Sequence, residues 1–257
     1  MAVKILSKIF GPVISALGSR IEKKQFKEAP IFVGGCPRSG TTVLLSILSS
    51  HPDIFANPKE LGIFNKVKLE NNKLTGHLRM DRLHLSFMWN QIPKSAKRFC
   101  EKSPNNIRKY HEIDHFYNGK FKFINLVRDG RDVVLSKHPT APNRFWTDPS
   151  TWVSDVGIGK ALESNSNFYT IQYEDLILDY DQSIQKLCDF LEIHCNAEIL
   201  TWLKNATVKN HIAFKNEAED LYSKSIGKWK LEENTERVSH LLKSSEAQKL
   251  LDFYGYR

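Results

Sequence analysis

The run Ile31-Phe32-Val33-Gly34-Gly35-Cys36-Pro37-Arg38-Ser39-Gly40-Thr41-Thr42 constrains this chain more than any other stretch. It reads as a buried strand over 30–34, a tight loop, and a helix over Thr41–Ser50. His51-Pro52 ends that helix, because the residue before a proline is pushed out of the α region. A loop between a strand and a helix turns backbone N–H groups toward one point, and the helix N-terminus adds partial positive charge. That is a phosphate site. The loop nearly matches G-x-x-x-x-G-K-[ST], with Gly35, Gly40 and Thr42 in register. Thr41 stands where a nucleotide hydrolase has its lysine, and the cation has moved inside the loop, to Arg38. Such a loop is poorly equipped to transfer a γ-phosphoryl group. It can still hold a 5′-phosphate whose reactive group lies beside it.

The rest of the chain repeats the strand–helix alternation. Phe121–Val127 reads as a second strand followed by a helix from about Asp129, and Phe168–Tyr173 as a third. Residues 105–117, 181–191, 196–206 and 236–254 have helical patterning. The span 61–98 is irregular, basic and aromatic (Phe64, Phe87, Trp89) and reads as a helical insertion suited to acceptor-side walls. The fold class is therefore α/β, one P-loop-like domain with a central parallel sheet flanked by helices. In such sheets ligands gather at the carboxyl ends of the strands, where Arg38 and Arg128 stand. We divide the chain into an N-terminal leader or amphipathic segment, 1–29, and a domain, 30–257.

With 257 residues, 41% hydrophobic and 26% charged, the chain has enough apolar material for one large core. Its net charge of +8 favours anionic partners. The basic residues are scattered rather than gathered into a run, which argues against nucleic acid. Cys36, Cys100, Cys188 and Cys195 show neither C-x-x-C spacing nor a Cys/His cluster, so no metal site is expected. They read as free thiols in a reducing, cytoplasmic compartment. The apolar stretch 5–17 is interrupted by Lys8 and Pro12 and is too short to span a bilayer. Its basic flanks suit either peripheral contact with a membrane surface or a helix packed on the domain.

Pro37-Arg38-Ser39-Gly40-Thr41-Thr42 resembles the 5′-phosphosulfate loop of sulfotransferases that use 3′-phosphoadenylyl sulfate (PAPS). The resemblance implies that Arg38, Ser39, Gly40, Thr41 and Thr42 bind this co-substrate. Val127-Arg128-Asp129-Gly130-Arg131-Asp132-Val133-Val134-Leu135-Ser136 follows the second strand. Arginine offers a planar fork for phosphate oxygens and serine a neutral donor. Arg128 and Ser136 are about two helical turns apart, so helix periodicity alone does not bring them together. The resemblance supplies their pairing, as the family's 3′-phosphate clamp. Asp129, Arg131 and Asp132 read as helix-cap and ion-pair residues.

Four further segments extend the resemblance. Lys59-Glu60-Leu61-Gly62-Ile63-Phe64 resembles the K-E-x-x-x-F stretch of glycan sulfotransferases, and tyrosylprotein sulfotransferases keep a Glu in nearly the same place. This makes Glu60 the candidate base that takes the acceptor's proton. His51 is the rival base, although its place before Pro52 fits helix termination. Glu101-Lys102-Ser103-Pro104 resembles the family's E-K-[ST]-P element, with Lys102 placed to stabilise developing negative charge. Tyr173-Glu174-Asp175-Leu176 resembles Y-E-D-L, with Tyr173 against the nucleotide and Glu174 and Asp175 starting a helix. Ser223-Lys224-Ser225-Ile226-Gly227-Lys228-Trp229 resembles a late S-x-G-x-W segment that closes over the nucleotide through Ser225, Gly227 and Lys228, with Trp229 against the base or the domain. The arginine at position 38 fits the tyrosylprotein and bacterial branches better than the small-molecule cytosolic branch.

The sequence thus leads to a PAPS-dependent sulfotransferase that releases adenosine 3′,5′-bisphosphate and needs no metal. A carbohydrate hydroxyl is the first expectation for the acceptor, a protein tyrosine the second, a lipid or small metabolite the third. Two other classes stay open. A P-loop nucleotide kinase or hydrolase would answer to ATP rather than to PAPS. A non-catalytic basic module would bind DNA or acidic vesicles with steep salt dependence.

Overall fold

In the computed structural model, which describes residues 2–138, 140–209 and 225–256, the apolar run before the phosphate loop is the middle strand of a sheet. This strand, β1 (Ile31–Gly34), is buried at every residue. It pairs in parallel with β5 (Arg98–Lys102) on one side and β6 (Lys122–Val127) on the other. β2 (Ile54–Ala56) and β9 (Phe168–Gln172) complete a five-stranded sheet of order β2-β5-β1-β6-β9, parallel throughout. Two antiparallel hairpins stand apart from it: β3 (Val67–Glu70) with β4 (Lys73–Gly76), and β7 (Lys137–His138) with β8 (Ala141–Phe145).

Side-chain alternation along the strands sorts the core into two chemically different halves. Ile31, Val33, Ile124, Leu126 and Ile171 face an aliphatic cluster. It is closed by α2 (Thr41–Leu48), α8 (Tyr180–Leu191), α9 (Ala197–Leu200) and α10 (Trp202–Asn205). Phe32, Phe99, Phe123 and Phe168 face an aromatic cluster on the opposite side. It is covered by α3 (Met80–Trp89), a 3-10 segment (Pro104–Lys109) and α4 (Tyr110–Tyr117). A third cluster around Trp152 joins α5 (Gly130–Val133), α6 (Pro149–Leu162), α11 (Thr235–Leu242) and α12 (Ser245–Phe253) to the end of β6. The short α7 (Tyr173–Leu178) follows β9 directly.

The parallel sheet, its three expected strands and the helix after the phosphate loop are all present. Two strands, β2 and β5, lie where sequence patterning showed none. The span 61–98 is a hairpin, one helix and the first residue of β5 rather than a helical insertion. The helix expected from Asp129 stops after four residues. Residues 196–206 and 236–254 each form two short helices rather than one.

Residues 2–25 form a helix, α1, and its second half packs on α3. The contact depends on Gly18, where a Cβ would fall 2.1 Å from His84 Cβ and 2.7 Å from its backbone Cα. The His84 ring sits 3.2 Å from the Glu22 carboxylate one turn further along. Val13 and Leu17 are exposed on this helix. Among the described residues no helix is long and apolar enough to cross a membrane. Overpacking of this kind typically costs about 1–3 kcal/mol. Gly18→Ala is therefore expected to lower the thermal midpoint by about 2–10 °C, with hydrogen-exchange protection lost over α1 while the sheet keeps its own.

Candidate active site

The phosphate loop is wedged against β6. Gly35 has φ +138°, and a Cβ there would lie 2.4 Å from the Leu126 carbonyl oxygen, so only glycine permits this approach. Arg38 is itself left-handed, at φ +74°. The next turn begins at Gly40, which caps α2 without any side-chain acceptor. The first N–H groups of α2 therefore face the loop without a side-chain acceptor. Ser39 is fully buried and Thr41 nearly so, while Thr42 is half-buried.

The second cation comes from the end of β6. Arg128 donates through Nη1 to the Arg38 carbonyl (3.4 Å) and through Nη2 to the Ser225 carbonyl (2.5 Å). Its guanidinium lies 4.5 Å from the centre of the Tyr173 ring, a favourable cation–π placement. The Tyr173 and Ser225 hydroxyls are 2.9 Å apart. Burial, and after it the neighbouring charge of Arg128, push the Arg38 guanidinium below its ordinary pKa. Neither arginine has a carboxylate hydrogen-bonded to it among the described residues. Arg38 Nε, Ser39 Oγ and Arg128 Nε are buried and have no hydrogen-bond partner among the described residues. Unpaired buried donors are rare in folded proteins, and three of them, two belonging to neighbouring cations and one to the serine between loop and helix, make an anion cleft.

At its far wall, Lys102 reaches the cleft from the end of β5 with a fully buried side chain. Its ammonium donates to Thr42 Oγ1 (3.1 Å) and to Glu60 Oε1 (2.5 Å), leaving one N–H for another acceptor. The Glu60 side chain stays 45% exposed. The loop that carries it is held from beneath by Glu101, a residue the sequence reading quoted but gave no role. Glu101 Oε1 accepts from the N–H groups of Leu61 (3.1 Å) and Gly62 (3.4 Å) and from Ser103 Oγ (2.7 Å). Its Oε2 accepts from Asn106 Nδ2 (2.7 Å). Asn57 Oδ1 accepts the Lys59 N–H (3.1 Å), and Arg82 donates to the Leu61 carbonyl (2.8 Å). The rival base is committed elsewhere. His51 is 2% exposed; its Nδ1 accepts the Asp53 N–H and its Nε2 faces the His194 carbonyl at 3.0 Å, at the amino end of the sheet.

The remaining candidates divide. Ser225 and Tyr173 join the Arg128 cluster. Ser136 lies beyond α5, where its carbonyl accepts the Trp146 N–H (2.8 Å), and no described contact joins it to Arg128. Lys228 is exposed at the start of a 3-10 turn, Lys228–Lys230. Ser223 and Lys224 lie outside the described residues. Two local readings need correction. Asp129 does cap α5 and pairs with Arg131 (2.8 Å), but Asp132 instead accepts the Gly227 N–H (2.7 Å) and the Trp229 N–H (3.1 Å). Glu174 opens α7 but also accepts from the Asp129 N–H and the Tyr256 hydroxyl. Trp229 stacks on the Arg131 guanidinium, 3.6 Å from ring centre to carbon.

Burial raises the Glu101 carboxyl above the usual carboxylate range, against its four hydrogen bonds. A raised carboxyl contributes stability that is fully present below the unfolded-state pKa of about 4.3 and is lost as pH rises through the folded value. The difference in unfolding free energy between the unmodified protein and Glu101→Gln should therefore fall as pH rises from about 4 and then level off. Urea titrations across pH 4–8 measure it.

Comparison with known proteins agrees with this geometry. Residues 30–197 match the family model described as the sulfotransferase family. A chicken protein-tyrosine sulfotransferase 2 is 26% identical over 71% of the chain, and a zebrafish protein-tyrosine sulfotransferase 1 is 25% identical over 74%. The chain spans 56% and 62% of those proteins' lengths, respectively. Among solved structures, the sulfotransferase domain of the Synechococcus PCC 7002 olefin synthase superposes with TM-score 0.59 at 18% identity, covering 91% of this chain and 96% of its own. Mouse sulfotransferase SULT7A1, solved in complex with PAP, gives TM-score 0.52 at 17% identity, covering 95% and 93%. With the family match running from β1 through the phosphate loop, Glu60, Lys102 and Arg128 to α9, the chain belongs to the sulfotransferase family and is an enzyme of that kind.

Proposed function

We propose that this enzyme transfers a sulfuryl group from 3′-phosphoadenylyl sulfate to a hydroxyl, with a protein tyrosine as the acceptor. The observation that carries the nucleotide assignment is the pair Arg38 and Arg128, neighbours without a bound carboxylate among the described residues, whose own Nε atoms and the nearby Ser39 Oγ are buried with no described partner. A ligand with two separate phosphate groups suits two cations on successive strand ends. Bound there, the co-substrate supplies an activated sulfuryl group and leaves as adenosine 3′,5′-bisphosphate.

The chain's own residues then have distinct tasks. Arg38, Ser39 and the first N–H groups of α2 hold the 5′ end, and Thr41 and Thr42 add hydroxyl donors. Arg128, steadied by Tyr173 and Ser225, holds the 3′-phosphate. Lys102 turns its remaining N–H toward the oxygens that gain charge during transfer. Glu60 takes the acceptor's proton. The ion pair between Glu60 and Lys102 (2.5 Å) keeps both groups in place until an acceptor and an anionic donor arrive to part them.

Protein tyrosine is placed first because the curated relatives are protein-tyrosine sulfotransferases. The sequence-based preference for a carbohydrate rests on a Glu base and a loop type that recur in glycan enzymes, and tyrosylprotein sulfotransferases keep a Glu in nearly the same place. Transfer from labelled PAPS to a panel of tyrosine peptides and glycans separates the two. A thermal-shift panel of PAPS, adenosine 3′,5′-bisphosphate and ATP tests the nucleotide assignment, and stabilisation by ATP alone would refute it.

Charge-assisted hydrogen bonds contribute about 1.5–3 kcal/mol each. Arg128→Ala should weaken adenosine 3′,5′-bisphosphate by about 10- to 150-fold and leave adenosine 5′-phosphate little changed in calorimetry. Glu60→Gln keeps the side chain's shape but cannot accept a proton. Turnover should drop by about 10²–10⁴ while nucleotide affinity, measured in parallel, stays within a few-fold.

A further inference from the structure

Residues 225–230 form a strap beside the anion cleft, and none of the six is buried. No apolar side chain therefore anchors it in a core. Polar contacts hold it instead, and they converge on one short stretch, Arg128 to Asp132. The Asp132 carboxylate, 4% exposed, spends both oxygens on strap backbone: Oδ2 on the Gly227 N–H (2.7 Å) and Oδ1 on the Trp229 N–H (3.1 Å). Arg131, fixed by Asp129, supplies a flat cation under the Trp229 ring. At its other end the strap touches the ligand-facing cation directly, through the Ser225 carbonyl on Arg128 and the Ser225 hydroxyl near Tyr173.

We propose that Asp132 is a positioning residue that latches the strap 225–230 over the anion cleft and so sets how long the nucleotide stays bound. The second half of this statement rests on the nucleotide reading above; the first does not. A carboxylate suits the task because it accepts two backbone N–H groups at once, where a neutral amide offers one acceptor and turns a second donor against a donor. The latch engages backbone N–H groups rather than side chains, one of them at Gly227, whose φ of +76° favours glycine.

Lys228 and Lys230 are exposed and give trypsin two cleavage points within the strap. In Asp132→Asn, without nucleotide, cleavage after these lysines should quicken about tenfold or more while sites elsewhere keep their rates. Dissociation of adenosine 3′,5′-bisphosphate, followed by stopped flow, should quicken by a similar factor with association little changed. Asp132→Glu, which restores a carboxylate one methylene longer, should recover part of both effects and guards against a variant that merely folds poorly. Unchanged strap cleavage would overturn the latch, as would cleavage quickened evenly along the chain. Faster strap cleavage with unaltered dissociation would overturn the link to nucleotide residence. If the unmodified protein does not bind the nucleotide at all, the residence claim falls with the nucleotide reading, and the trypsin result still decides whether Asp132 holds the strap.

Discussion

Two guanidinium groups held near each other, with no carboxylate bound to either among the described residues, govern much of this structure. Left to themselves they would separate, and the fold prevents it. The loop bearing Arg38 cannot move back, because its backbone already touches the Leu126 carbonyl. Arg128 cannot swing away, because its ends are taken by the Arg38 and Ser225 carbonyls while its face meets Tyr173. Carbonyl oxygens and an aromatic face stabilise a cation without neutralising it. The cleft thus keeps its full positive charge for an incoming anion, and rigid strand ends rather than flexible loops bear the cost of holding it.

The strand β5 solves a related problem one position over in the sheet. It is buried at every residue yet carries Arg98, Glu101 and Lys102. Each charge has a partner from a different part of the chain. Arg98 bonds Glu28 and the Leu191 carbonyl, Glu101 gathers four donors from its surroundings, and Lys102 pairs with Glu60. Burying a charge is tolerable only when it is paired and hydrogen-bonded. The same pairs fasten the segment after α1, the loop of the candidate base and the end of α8 onto one buried strand.

This explains what was and was not legible in the sequence. β1, β6 and β9 are apolar or aromatic runs, and their signal is local. β5 escaped because its alternation is broken by charges whose partners lie as far as 93 residues away, and β2 because three residues carry almost no periodic signal. Arg38 is legible in the loop pattern and Lys102 and Glu60 through family likeness, and the contacts of Lys102 with Glu60 and Thr42 emerge only from the sheet order that sets β5 between β2 and β1. Asp132 and Glu174 were taken for helix-start residues because an acidic residue near a helix start usually is one. Their further partners are 95 and 82 residues distant in the chain, where no local rule reaches. Ser136 shows the converse: its pairing with Arg128 came from likeness alone, and no described contact carries it.

Arg38 sits in the left-handed region at φ +74°, a conformation that strains side-chain-bearing residues by about 1–2 kcal/mol. The position would be more comfortable for glycine, and the cleft would be electrostatically more comfortable with one cation fewer. Both terms point the same way: the residue that makes the loop a binding site is held there at a cost to folding stability. Selection for folding stability alone would drive this position toward glycine, so breeding the enzyme for heat resistance without a concurrent screen for turnover invites its inactivation at this site first.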